Sequence, residues 1–176
     1  AIFIRLAGCD VGCHWCDVKE SWSTDGYPVM SPGEIIKEIE PYPGKTIIIT
    51  GGEPAMYDLM ELTSSLKEAG YKLNLETSGA YPVTGIWDWV CFSPKKFMVP
   101  LEDVYLKADE LKAIVYNKSD FKWGESFVES LGENCKLYLQ PEWSKASVMM
   151  PAIVDYVKSN PDWQISLQTH KYLDIP

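Results

Sequence analysis

Three cysteines fall within eight residues near the start of the chain, Cys9-Asp10-Val11-Gly12-Cys13-His14-Trp15-Cys16, directly after the apolar run Ile2-Phe3-Ile4-Arg5-Leu6. Intervals of four and three let one loop turn all its sulfurs toward a common centre, whereas cysteines this close in sequence rarely reach disulfide geometry with one another. The loop is therefore read as a metal site. A structural zinc site needs four ligands, normally from two separate pairs, and no second Cys-x-x-Cys follows. His14 lies between two of the thiols and would have to fold back on the loop that positions them. A [4Fe-4S] cluster held by three thiolates leaves one iron without a protein ligand, a position where a substrate or cofactor can bind. Zinc or free thiols stay open as the alternative, in which case the chain is a non-enzymatic iron-sulfur or zinc module.

A chain of 176 residues, 46% of them hydrophobic, suffices for one packed core and is short for two, so residues 1–176 are expected to form a single domain. No apolar run is long enough to cross a bilayer and no signal segment opens the chain, which points to a soluble cytoplasmic protein with no membrane partner. Five cysteines, three of them clustered, argue against a disulfide framework and for a reducing compartment. Cys91 and Cys135 read as core or strand-edge thiols. A formal net charge of -9 provides no broad basic face for nucleic acid, so a small-molecule partner is expected. The chain opens at Ala1 inside a strand-like stretch without an initiator Met, which suggests that a short segment precedes it.

Residues 2–6 are apolar enough for a buried strand, with Arg5 near its end. Ser31-Pro32-Gly33-Glu34 is a capping box with Pro at the first helical position, predicting a helix to about Glu40. The β-branched run Thr46-Ile47-Ile48-Ile49-Thr50 has the character of a parallel-sheet strand and breaks at Gly51-Gly52-Glu53-Pro54. Met56, Leu59, Met60, Thr63 and Leu66 recur at helical spacing up to Gly70, with the methionines read as core. Further strands are expected over 72–76, 89–92, 111–115, 137–140 and 165–168, and further helices over 121–131 and 146–158.

Strands alternating with helices imply a parallel sheet with right-handed crossovers, either doubly wound or curved into part of a barrel. Almost every strand ends in polar or backbone-exposing residues: the cysteine loop, Thr50 to Glu53, Glu76-Thr77-Ser78-Gly79, Ser93-Pro94-Lys95, Gln140-Pro141-Glu142 and Gln168-Thr169-His170. In parallel α/β folds the carboxyl ends of the strands share one face, and that face carries the chemistry.

The Cys-x-x-x-Cys-x-x-Cys loop after a first strand, an aromatic before its last cysteine, and Gly-Gly-Glu-Pro after the second strand resemble the radical S-adenosylmethionine enzymes. Phe3-x-Arg5-x-x-Gly8-Cys9, Leu139-Gln140-Pro141 and the ending Gln168-Thr169-His170-Lys171 narrow the resemblance to the branch that contracts 6-carboxytetrahydropterin to 7-carboxy-7-deazaguanine for queuosine. It covers essentially the whole chain. It implies an incomplete parallel β/α barrel, a homodimer, a reductant such as flavodoxin, and three cofactors: the [4Fe-4S] cluster, S-adenosylmethionine and Mg²⁺.

By the same resemblance Cys9, Cys13 and Cys16 ligate the cluster, and Trp15 lies beside the adenine. Asp17, Gly51, Gly52, Ser78, Ser93, Pro94, Lys95 and Gln140 belong to the S-adenosylmethionine site. Glu53 offers its carboxylate either to the methionine ammonium or to the loop backbone. Arg5, Thr50, His170 and the carboxylate of Pro176 fall to the pterin, with Tyr172, Leu173 and Ile175 packing the tail down. Val18 stands where the family has a threonine whose hydroxyl is the expected Mg²⁺ ligand. The nearest rival within the class is a glycyl-radical-enzyme activase, which shares the cysteine loop and the glycine motif but acts on a protein.

Overall fold

The computed structural model describes residues 1–174. Seven strands, β1 (Ile2–Leu6), β2 (Thr46–Gly51), β3 (Lys72–Thr77), β4 (Trp89–Phe92), β5 (Glu110–Val115), β6 (Lys136–Pro141) and β7 (Trp163–Ile165), form one parallel sheet in sequence order. A doubly wound sheet reverses its strand order at a switch point. Here the order runs from β1 to β7 without reversal, and among the described residues β1 and β7 pair only with β2 and β6, so the fold is an incomplete β/α barrel. Helices α1 (Pro32–Ile39), α2 (Met60–Glu68), α3 (Glu102–Lys107), α4 (Ser119–Glu125) and α5 (Ala146–Ser159) link the strands, and α6 (Thr169–Leu173) follows the last. No helix among the described residues is long and apolar enough to cross a membrane.

Side chains alternate between the two faces of a strand, and the two faces here differ in chemistry. Ile47, Ile49, Leu73, Leu75, Leu111, Ala113, Val115 and Leu139 are buried in the core with Leu66 of α2 and Ile153 of α5. Glu76, Lys112, Ile114 and Gln140, at alternate positions, turn the other way and line a cavity. Burying one aliphatic side chain of this kind stabilises by about 1.5–3 kcal/mol, so the helix-facing set fixes which residues the cavity receives.

Several expected boundaries move. The helix foreseen over 121–131 is α4 followed by a 3-10 turn at Val128–Ser130, and α3 was not foreseen at all. The second helix starts at Met60, with Pro54–Met56 a separate 3-10 turn, and Met56 and Met60 are exposed rather than core. The last strand lies earlier, because Trp163 is the residue that buries, beside Leu137, while Gln168 caps α6. Strand β1 is an edge strand with Phe3 and Arg5 exposed, not a buried one. His170 sits on α6 rather than at a strand end, and Tyr172 and Leu173 are largely exposed; Ile175 and Pro176 lie outside the described residues.

Candidate active site

A cavity of about 530 Å³ opens at the carboxyl ends of the strands. The sequence-derived candidates converge on it: Arg5, Cys9, Cys13, Trp15, Cys16, Asp17, Thr50, Gly51, Gly52, Glu53, Ser78, Ser93, Lys95, Gln140 and His170 all contribute to its wall. Pro94 is buried and does not line it, and Pro176 falls outside the described residues.

Backbone hydrogen bonds on both sides hold the cysteine loop. Gly8 N–H donates to Ser21 O at 2.7 Å and Cys9 N–H to Trp22 O at 3.1 Å, while Glu53 N–H reaches Gly8 O at 2.8 Å and Gly52 N–H reaches Leu6 O at 2.8 Å. The approach of the two loops leaves no room for a side chain. A Cβ on Gly52 would lie 2.1 Å from Gly8 O, and one on Gly51, at φ +122°, would lie 2.3 Å from Leu6 O. Tyr57 Oη donates to Ala7 O at 2.7 Å, and Tyr81 donates to Asp10, so the loop is also tied to α2's approach and to the segment after β3.

All five cysteines are free thiols. Burial pushes the Cys13 thiol up to about 11 and raises Cys9 as well, so protons must leave before these sulfurs bind metal. Three soft sulfur donors on one wall of a roomy cavity suit an iron-sulfur cluster. Among the described residues no three His, Cys, Asp or Glu side chains come together as a single-ion site. Val18, where the resemblance expects a Mg²⁺ ligand, has no side-chain oxygen, and the neighbouring Asp17 Oδ2 accepts from Gln168 Nε2 at 2.9 Å and pairs with Lys171. Burial alone would raise the Asp17 carboxyl, but Lys171 and Gln168 hold it below its usual value.

The Glu53 carboxylate is 2% exposed and accepts four hydrogen bonds, all from the protein: Ala55 N–H and the Thr77 hydroxyl on one oxygen, Ser78 N–H and the Ser78 hydroxyl on the other. It fastens the loop after β2 to the end of β3. Lys95 donates through Nζ to Ser93 O at 2.6 Å and to Ser93 Oγ at 2.7 Å, with Nζ 5.9 Å from the Trp15 ring centroid. Burial lowers its ammonium below the ordinary lysine value.

On the cavity floor sequence reading missed Lys112 and gave Glu76 no role beyond its place in a polar strand end. Lys112 Nζ donates to Glu76 Oε1 at 2.7 Å, and Thr50 Oγ1 donates to Glu76 Oε2 at 3.1 Å. Burial would raise the Glu76 carboxyl, yet Lys112 and Thr50 hold it below the usual carboxylate range. Burial would likewise lower Lys112, and the adjacent Cys91 and Glu76 reverse that and raise it. The signal was available: in Lys72-Leu73-Asn74-Leu75-Glu76 and Glu110-Leu111-Lys112-Ala113 polar residues alternate with apolar ones in strands of a parallel sheet, where a polar face means a cavity rather than bulk solvent.

The Radical SAM superfamily matches residues 3–91 of the chain. Over 176 residues the chain is 53% identical to the 7-carboxy-7-deazaguanine synthase of Flavobacterium psychrophilum, an alignment covering 100% of this chain and 83% of that one. The enzyme of the same name from Synechocystis sp. is 44% identical over 175 residues, 99% of this chain and 84% of that one. The crystal structure of QueE from Escherichia coli superposes with a TM-score of 0.81 at 29% identity, covering 94% of this chain and 84% of that one.

Proposed function

Because this chain belongs to the radical SAM superfamily and, within it, to the 7-carboxy-7-deazaguanine synthases, we propose that it converts 6-carboxy-5,6,7,8-tetrahydropterin to 7-carboxy-7-deazaguanine with loss of ammonia, a carbon-nitrogen lyase step of queuosine biosynthesis. The observation that carries this reading is the convergence of the cysteine loop, the Gly-Gly-Glu loop and the polar strand ends on one cavity, in a chain 53% identical over its whole length to a synthase of that name.

Cys9, Cys13 and Cys16 would hold the [4Fe-4S] cluster, three thiolates that would leave a position open to S-adenosylmethionine. When bound, that cofactor pair would supply the radical chemistry, which no side chain of the chain provides. The protein positions. Gly51 and Gly52 let the loop after β2 close against Leu6 and Gly8 of the cysteine loop, where a side chain would clash, and so set the wall beside the methionine end. Glu53 serves that end through the loop it anchors, since its own acceptor sites are filled. Lys95 provides a buried ammonium for a carboxylate, with Ser93 orienting it, and Trp15 gives the adenine an aromatic neighbour. Gln140 and Ser78 offer the ribose an amide and a hydroxyl oxygen, and Asp17 keeps the cysteine loop closed on α6.

For the pterin, Arg5 supplies a cation matched to a carboxylate, and Thr50, Glu76 and His170 supply hydrogen-bond partners. Glu76, kept ionised by Lys112, accepts from the amino and ring N–H groups of the pterin's guanidine-like edge. Mg²⁺, if bound, would rest on substrate, water and backbone oxygens, with no side-chain oxygen from Val18. We also propose a homodimer and a small electron carrier such as flavodoxin as the reductant.

Anaerobically reconstituted protein given S-adenosylmethionine, reductant and the carboxypterin is expected to form 7-carboxy-7-deazaguanine and ammonia, followed by mass spectrometry. Cleavage of S-adenosylmethionine without either product, accompanied by radical formation on a glycyl-radical enzyme, would replace this reading with the activase.

A further inference from the structure

The charged side chains on the cavity wall differ in how much of their hydrogen-bonding capacity the protein itself uses. A carboxylate has about four acceptor sites and an ammonium three donors. Glu53 is filled, with four bonds accepted from the protein. Asp17 is taken by Gln168 and Lys171, and Lys95 spends two of its donors on Ser93. The floor pair is different. Among the described residues Glu76 accepts one side-chain bond on each oxygen, from Lys112 Nζ at 2.7 Å and Thr50 Oγ1 at 3.1 Å, and Lys112 Nζ donates to Glu76 alone. Of the neighbours of Lys112 on the same face of β5, Ile114 is apolar and Glu110 turns its carboxylate to Trp89 Nε1, at 2.9 Å. Both members of the pair line the cavity, with 15% of the Lys112 side chain and 38% of the Glu76 side chain still open. Two donors of Lys112 and half the acceptor sites of Glu76 are thus left to whatever fills the cavity. Once a ligand displaces water there, each must find a partner or cost binding energy.

We propose that Lys112 is a specificity-determining residue that donates a hydrogen bond to the ring carbonyl of the pterin, beside the guanidine-like edge given to Glu76. The inference rests on the substrate class given under Proposed function, and deepens it. Along one side a 2-amino-4-oxopyrimidine ring presents its amino group, its ring N–H and its carbonyl oxygen: donor, donor, acceptor. A carboxylate with an ammonium bound to one of its oxygens presents the complement, acceptors followed by a donor, and both groups are charged, which makes such hydrogen bonds the stronger kind. Thr50 on one oxygen and Lys112 on the other hold the carboxylate from two sides, so the pair is set before the ligand arrives. A 4-amino pteridine would turn an N–H group toward the ammonium and leave donor facing donor, the mismatch by which a polar pocket rejects an analogue. The same edge is present in the carboxypterin and in the deazaguanine product. Lys112 and Glu76 therefore grip the half of the molecule that ring contraction leaves unchanged.

The test is isotope-edited infrared difference spectroscopy on cluster-loaded protein without S-adenosylmethionine, so that no turnover occurs, with the carboxypterin carrying ¹³C at its ring carbonyl. Three proteins are compared: the natural chain, Glu76→Gln, and Glu76→Gln/Lys112→Met, the last of which removes both charges together and leaves no unpaired ion in the floor. Calorimetry gives the affinity of each. Expected is a carbonyl band below its position in water when the pterin is bound to the natural chain or to Glu76→Gln, and a band returned to higher frequency in the double variant. The affinity of the double variant should fall about tenfold or more below that of Glu76→Gln, with the affinity for S-adenosylmethionine unchanged; a parallel loss of the latter would mark collapse of the cavity and overturn the inference. So would binding to the natural chain with no downshift, or a downshift that persists in the double variant, and either result would leave the reading under Proposed function standing. No binding of the carboxypterin to the natural chain would overturn both. Should the double variant fail to fold, the natural chain still decides, because an unshifted band, or equal affinity for the 4-amino analogue, would refute the contact.

Discussion

Ala55, Thr77 and Ser78 together direct four hydrogen bonds at the Glu53 carboxylate, and two of those donors are backbone N–H groups that cannot turn away. Glu53→Gln replaces one accepting oxygen by an NH₂ group and sets donor against donor in a buried site. The expected cost is about 2 kcal/mol, visible as a fall in Tm of roughly 4–8 °C for a chain of this size; an unchanged Tm would mean the loop does not depend on this clamp. Glu76 gives a prediction in pH. A carboxyl held below its ordinary value contributes stability that is present above the unfolded value of about 4.3 and lost as pH falls through the folded one. Lys112, raised, contributes at every pH below its own unfolded value, so only the carboxylate sets the acid limb. Glu76→Gln should therefore destabilise clearly at pH 7 and much less near pH 3, measured by urea unfolding at both. An equal cost at the two pH values would show that the Glu76–Lys112 pair contributes nothing through charge.

At the scale of elements, local chemistry was legible wherever one residue type admits one geometry. The capping box at Ser31 forms as read: Glu34 N–H donates to Ser31 Oγ at 3.4 Å, and Ser31 N–H donates to Glu34 Oε2 at 2.7 Å. Ser31→Ala should cost about 1 kcal/mol, checked by denaturant titration, with no effect on cofactor binding because α1 is remote from the cavity wall. The glycines after β2 were likewise readable, and Gly52→Ala forces a Cβ to 2.1 Å from Gly8 O. Overpacking of that kind costs about 1–3 kcal/mol or more, and here it also shifts the cysteine loop, so the variant should lose S-adenosylmethionine binding by calorimetry while its far-ultraviolet spectrum stays that of a folded chain. Retained affinity would separate the two loops. Elements set by tertiary contact were less legible. The helix foreseen over 121–131 breaks after α4, a region where Gly124 packs so closely on the sheet that a Cβ there would lie 3.0 Å from that of Ala113. The last strand follows the burial of Trp163, which no local pattern announced.

For the whole molecule, seven strands in sequential order bring one wall of side chains to the helices and the other to a single cavity. The strand-end residues could be read as converging because parallel strands share a carboxyl face, whatever their exact bounds. That reading reached Glu76, at the end of β3, but not its partner Lys112 inside β5. Glu76 and Lys112 lie 36 residues apart and meet only once β3, β4 and β5 are laid side by side. Everything proposed for this cavity depends on Cys9, Cys13 and Cys16 acting together on one cluster with an open iron. The most direct test is the electron paramagnetic resonance spectrum of anaerobically reconstituted, dithionite-reduced protein before and after S-adenosylmethionine is added, in the natural chain, in Cys13→Ala and in Cys91→Ala. A reduced [4Fe-4S] signal that changes on adding S-adenosylmethionine, kept in Cys91→Ala and lost in Cys13→Ala, is the predicted result; a natural-chain signal indifferent to S-adenosylmethionine, or one that survives Cys13→Ala intact, would contradict it.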